Sequence, residues 1–223
     1  MSYVIPELNL IGAPYVADDF GHLQDIVNGP WGQEMDAAFI AQGIRMLDLW
    51  YYGTRQTTSN RAIESMADME GLRMRTPNVP FLIAYAQNVG ATPAPVAFAE
   101  VYLALQTNQV DAQENPLPTI EAMRFDEVQS HIAITNHFIA SIAMMISDDL
   151  WTSLSEEEQG WVMAAVEAGG DVNDSRTVEA EAELLATFEG RGLSVTRPDL
   201  APFRAAMQPY YEELEAQFGE GAI

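Results

Sequence analysis

Cysteine is absent from the sequence, and so is lysine. Without cysteine there is no disulfide, no thiolate nucleophile and no zinc site built on Cys pairs, although the absence does not select a compartment. Without lysine, the basic complement is ten arginines against 33 acidic residues, a formal net charge of -23. That balance lacks the basic stripe that nucleic acid requires, and it disfavours anionic lipid surfaces. No apolar run approaches the roughly 20 residues needed to cross a bilayer, so no direct membrane insertion is expected. The recurrent catalytic and phosphate-binding motifs are missing too: no Gly-x-Ser-x-Gly, no Walker loop, no Gly-x-Gly-x-x-Gly and no His-Glu-x-x-His. The first residues, Met1-Ser2-Tyr3-Val4-Ile5-Pro6, show no charged n-region, apolar h-region or cleavage site. Either the protein is cytoplasmic or its natural start lies upstream, and both readings stay open.

What is present is enough apolar material, 48% of 223 residues, for one substantial core or two modest lobes. Helical stretches are expected over Phe20–Val27 and Trp31–Gln42, separated by Asn28-Gly29-Pro30, with Gly43 closing the second. Arg45–Tyr52 reads as a mostly buried strand and Arg55–Asn60 as an extended, Thr-rich segment. A turn of helix over Ser65–Met69 leads to a strand at Leu72–Arg75. A helix over Asn78–Val89 follows, with Asn78 placed to cap it. Pro93–Phe98 is extended, Glu100–Gln106 helical and Val110–Glu114 a strand. Ile132–Thr135 and Phe138–Ile146 are further β-like runs. Ser155 and Glu158 form a capping box that opens a long helix to about Glu189, despite Gly169-Gly170. Such a helix would span about 50 Å, the length of a strut between two lobes. Leu193–Thr196 reads as a strand and Ala201–Gln217 as one amphipathic helix. This alternation of strands and helices predicts an α/β fold.

Candidate chemistry is sparse. His131 and His137 are six apart, which is not one helical face, and no Cys or paired Glu supports a metal; hydrogen-bonding histidines are the better reading. Carboxylates are so abundant that any pair could be nominated as acid and base, which makes such a pair uninformative. The unusual feature is arginine in apolar surroundings. Arg75 ends a short strand on which Arg73 and Arg75 share one face and Leu72 and Met74 the other. Arg55 sits between an apolar and a Thr-rich segment. A planar guanidinium in such a place can hold a carboxylate through two parallel hydrogen bonds. In so acidic a chain, composition alone favours a surface salt bridge instead.

Four segments carry a family resemblance. Gly53-Thr54-Arg55-Gln56-Thr57-Thr58-Ser59-Asn60-Arg61, Gly71-Leu72-Arg73-Met74-Arg75-Thr76-Pro77-Asn78, Phe98-Ala99-Glu100-Val101-Tyr102-Leu103-Ala104-Leu105-Gln106-Thr107 and Val110-Asp111-Ala112-Gln113-Glu114-Asn115-Pro116 occur in that order. In order and spacing the chain resembles the solute-binding proteins of TRAP transporters, the DctP type, and within them the sialic-acid-binding branch. The resemblance implies a two-lobed, class II periplasmic-binding-protein-like α/β fold with a long helix linking the lobes. It implies a monomeric periplasmic receptor, not an enzyme, with no cofactor and no metal. The receptor would bind a small-molecule carboxylate, sialic acid or another acidic sugar, and deliver it to the small and large TRAP membrane subunits. By residue, it makes Arg75 the two-pronged grip on the ligand carboxylate, Arg55 a second arginine beside it and Asn115 an amide bonded to it. Phe98 becomes an aromatic wall, Asn78 a polar contact and His137 a pocket-adjacent histidine.

Members of that family carry a leader and several elements before the segment matching Tyr3-Val4-Ile5-Pro6, so an N-terminally truncated fold is expected. Lobe II would comprise 53–140 and 181–223 and carry the clamp; lobe I would survive as 1–52 and 141–180. Uncovered strand edges would then make the chain prone to aggregation. Two alternatives remain: a carboxylate-processing lyase or isomerase with Glu114 or His137 as base, and a remnant that binds nothing.

Overall fold

In a computed structural model, residues 4–223 are described; Met1 to Tyr3, the start of the segment matched above, lie outside them. The helices are α1 (Leu8–Ile11), α2 (Phe20–Asn28), α3 (Pro30–Ala41), α4 (Pro80–Asn88), α5 (Val101–Gln106), α6 (Leu117–Ala122), α7 (Asp148–Ser153), α8 (Glu156–Gly190), α9 (Ala201–Ala206) and α10 (Gln208–Phe218). The strands are β1 (Ile44–Ser59), β2 (Arg73–Thr76), β3 (Thr92–Pro95), β4 (Ala112–Pro116), β5 (His131–Ser147) and β6 (Ser194–Thr196). They form a six-stranded mixed sheet in the order β3-β2-β4-β1-β5-β6. β1 runs antiparallel to β4 and β5, whereas β2 is parallel to β3 and β4, and β6 to β5.

The sheet separates two larger cores. Ile132 and Ala133, neighbours on β5, belong to different clusters, as alternation across a strand requires. One cluster joins Ile63, Met69, Met74, Tyr85, Phe203, Met207 and Leu214; the other joins Val101, Leu105, Ile120, Phe125, Leu184 and Phe188. Each fully buried side chain of this size contributes roughly 1.5–3 kcal/mol. Two smaller clusters, around Met35 with Phe39 and around Leu23 with Tyr51 and Ile139, lie toward the other end of the long strands.

Several expectations need correcting. The two expected runs 45–52 and 55–60 are one strand of 16 residues, half-buried through its first part and buried from Gly53 onward apart from Thr54. Likewise β5 is one strand of 17 residues, although its pairing with β1 jumps from Phe138 to Ala133 across Asn136 at φ 43°. Asn78 does not cap α4. The cap position is Val79, without a side-chain bond, because Pro80 takes the first helical position, where its missing N–H costs nothing. The C-terminal helix is two helices, since Pro209 has no N–H to give and its ring crowds the carbonyl of the preceding turn. α6 and α7 were not anticipated.

The capping box of α8 is present at both bonds: Ser155 Oγ accepts the Glu158 N–H and Glu158 accepts the Ser155 N–H. The helix is continuous over 35 residues. Gly169-Gly170 does not break it but makes room for Trp50: a Cβ on Gly169 would lie 2.8 Å from the indole, and one on Gly170 2.9 Å. Leu184 and Phe188, one turn apart, dock its C-terminal end in the core.

Candidate functional site

β2 lies between β3 and β4, and this places Arg75 inside the fold at 3% exposure. Its Nε–H donates to the Val96 carbonyl at 2.9 Å, and its guanidinium stands 5.8 Å from the Phe98 ring centre. Among the described residues no carboxylate forms an ion pair with it, in a chain with 33 acids. Burial pushes its pKa down; the Glu114 charge pushes it up and the Arg55 charge down again. An arginine stays protonated through such shifts. Arg75 therefore borders a pocket of about 490 Å³, lined also by Pro77, Asn78, Pro95, Val96, Ala97 and Phe98, as a buried cation with no ion-pair partner among the described residues.

Arg55 is the opposite case. β1 pairs with β4 so that Arg55 faces Pro116 and Thr57 faces Glu114. The guanidinium thereby engages both Glu114 oxygens, through Nε and through Nη2 at 2.9 Å. Nη2 also donates to the Glu114 carbonyl at 2.9 Å and to Asn115 Oδ1 at 3.1 Å. Glu114 is fully buried. Burial alone would raise its pKa, but the Arg55 charge and hydrogen bonds from His137 and Arg55 outweigh that and hold it below its ordinary value. His137 Nε2 lies 3.2 Å from Glu114, Nδ1 2.9 Å from Thr135 Oγ1, and the ring stacks on Tyr85 at 4.1 Å. Burial pushes His137 below its ordinary value, against the pull of Glu114. The neutral imidazole is thus a wedge behind Arg55 and Glu114.

Of the residues nominated from sequence, Arg75, Phe98 and Asn78 line one pocket, while Arg55, Asn115 and His137 form the network beside it. His137 is completely buried and does not line that pocket. Asn115 is already engaged, accepting from Arg55 and donating to Gln113 at 2.6 Å. Glu114 as the counter-charge of Arg55, and Tyr85 and Thr135 as the supports of His137, are not marked in the sequence. These partners lie up to 59 residues apart in hydrogen-bonded pairs, and no local pattern marks them. Among the described residues no cluster of three or more His, Asp or Glu side chains is arranged to hold a metal, and no helix is long and apolar enough to cross a membrane.

Residues 1–217 match the family model described as bacterial extracellular solute-binding protein, family 7, the DctP type. The chain belongs to this family. It is 44% identical over its whole length to the sialic acid-binding periplasmic protein SiaP of Vibrio cholerae, of which it spans 70%. A TRAP periplasmic solute-binding protein of Roseobacter denitrificans, solved with bound 3-deoxy-D-manno-oct-2-ulosonic acid, superposes with a TM-score of 0.94 at 30% identity, covering 99% of this chain and 75% of that one. Another from the same organism, with bound L-galactonate, gives 0.84 at 31% identity, covering 96% and 75%. The α/β architecture and its membership among TRAP solute-binding proteins therefore stand as expected from the sequence. Within this family fold, Arg55 and Arg75 are two cations of different standing, one neutralised and one not.

Proposed function

We propose that this chain forms the carboxylate-holding part of an extracytoplasmic TRAP receptor for an acidic sugar, with sialic acid the first ligand to test. The observation that carries this reading is Arg75: buried, without an ion-pair partner among the described residues, and fixed in orientation by Val96 beside the Phe98 ring. A buried unpaired charge costs stability unless a partner arrives, and a ligand carboxylate is the partner that a planar guanidinium fits best. Arg75 takes the ligand carboxylate, Phe98 and Asn78 border it, and Asn115 with Arg55 forms the polar wall behind. His137 acts from the second rank by holding Glu114. The two-lobe division, with 53–140 and 181–223 carrying the clamp and 1–52 with 141–180 opposite, belongs to this reading. So do a periplasmic location, a monomeric state and delivery to the small and large membrane subunits. The relatives named above support it, since one is a sialic acid-binding protein and the other two hold sugar acids.

The lyase or isomerase alternative is disfavoured by geometry. A general base must reach its substrate, and Glu114 is sealed with both oxygens engaged by Arg55. A melting-point panel with N-acetylneuraminate, 3-deoxy-D-manno-oct-2-ulosonic acid, L-galactonate and succinate tests the reading. At 100 times Kd a true ligand stabilises the fold by about 2.7 kcal/mol. A rise with ligand recovered unchanged is expected. No rise with any acid, or conversion of the ligand, would overturn it.

A further inference from the structure

β1 changes its pairing register with β5 between Tyr51 and Gly53, because Tyr51 faces Ser141 and Gly53 already faces Ala140. One extra residue has been inserted into β1. In a regular strand, N–H groups three residues apart point to opposite edges; one inserted residue brings them to the same edge. The N–H groups of Tyr51 and Thr54 accordingly both turn toward α8. Gly53 accommodates the insertion at φ 117°, where a Cβ would stand 2.7 Å from Pro116 Cβ and 2.9 Å from Glu181 Oε1.

α8 supplies two acceptors at a matching interval. Asp174 Oδ1 accepts the Tyr51 N–H at 2.7 Å, and Glu181 Oε1 accepts the Thr54 N–H at 2.7 Å. Seven helical residues rise about 10.5 Å and return to one face; three strand residues advance about 10 Å. Asn173 Nδ2 completes the first point by donating to the Tyr51 carbonyl at 2.7 Å. The Tyr51 hydroxyl completes the second, lying 2.6 Å from Glu181 Oε2 and 2.7 Å from Thr54 Oγ1. β4 pairs with β1 only from Arg55 onward, so α8 side chains take over where the neighbouring strand stops.

We propose that Glu181 is a positioning residue for the ligand site: with Asp174 it clasps β1 on both sides of the Gly53 bulge and so fixes where Arg55 meets Glu114 and the ligand. The residue next to the clasp is Arg55, whose guanidinium must reach both oxygens of a rigidly buried Glu114. A shift of the strand start moves that fork directly, and sub-ångström misplacement degrades a bidentate contact. The effect on binding rests on the carboxylate reading above, whereas the effect on Arg55 does not.

The test compares Glu181→Leu, Glu181→Gln and the parent chain. Glutamine keeps an acceptor for the Thr54 N–H and a donor for the Tyr51 hydroxyl, so it should rescue. The ligand-free readout is the Arg55 Nε–H resonance and the Thr54 amide exchange rate. Both should change in Glu181→Leu and recover in Glu181→Gln. Binding of N-acetylneuraminate, measured well below the melting point of each variant, should weaken at least about tenfold in Glu181→Leu and return to within about threefold in Glu181→Gln. Should Glu181→Leu not fold, Tyr51→Phe removes the hydroxyl that holds Glu181 Oε2 and Thr54 Oγ1 while leaving the Thr54 N–H bond to Oε1, and the same resonance should move with about fivefold weaker binding. An unmoved Arg55 resonance in a folded variant overturns the positioning role whatever the parent binds. A parent that binds no acid while the resonance moves as expected overturns only the ligand reading.

Discussion

Replacing Arg75 by methionine separates a binding role from a folding role, because the two have opposite signs here. In the free protein Arg75 is buried and lacks an ion-pair partner among the described residues, so its charge is a cost that the fold carries. Methionine of similar length removes that cost and gives up one hydrogen bond, to Val96, worth about 1 kcal/mol. The free variant should be as stable as the parent or up to about 2 kcal/mol more stable. At about 2–4 °C per kcal/mol for a chain of this size, its melting point should be unchanged or a few degrees higher. Binding should move the other way. Two charge-assisted bonds contribute roughly 1.5–3 kcal/mol each, and truncating one member of a buried charge pair costs about 2–5 kcal/mol. The loss is therefore at least about 30-fold in Kd and reaches several thousandfold. Calorimetric titration with N-acetylneuraminate, and a melt without ligand, read the two effects. Arg75→Met that binds within threefold of the parent, or that melts well below it, would refute the reasoning, since Arg75 would then be a structural ion.

Other expectations follow from the same geometry. Glu114→Ala leaves the Arg55 guanidinium buried and unpaired, so chemical denaturation should show a loss of about 3–5 kcal/mol, in contrast to Arg75→Met. Gly53→Ala places a side chain at φ 117° against Pro116 and should cost about 1–3 kcal/mol by the same assay. Both Glu114 and His137 have folded-state values below their ordinary 4.5 and 6.5, so the folded state binds fewer protons than the unfolded chain and stability falls as pH falls. The loss from His137 begins as pH drops through about 6.5, and that from Glu114 below about 4.5. The melting point of the parent should fall more steeply than that of His137→Gln as pH is lowered below about 6.5; parallel curves would count against a buried neutral imidazole.

Much of the local architecture is legible in the chain itself. The Ser155–Glu158 box announces α8, and the Asn28-Gly29-Pro30 break separates α2 from α3, because caps and proline act on neighbours within a turn. The ordered segments around Arg55, Arg75, Phe98 and Asn115 identify the family. Pro80 and Pro209 also mark the starts of α4 and α10 locally, because a residue without an N–H fits only the first turn of a helix. Only the tertiary structure decided that Arg55 is neutralised by Glu114 while Arg75 is not. That distinction depends on strand register, which brings together residues 59 positions apart, and nothing within either segment encodes it. The clasp of α8 on β1 is more remote still, joining Thr54 to Glu181 across 127 residues. Local propensity acts through the few bonds between neighbours. The balance of charge inside a site is settled by which distant groups the packed sheet forces to share it.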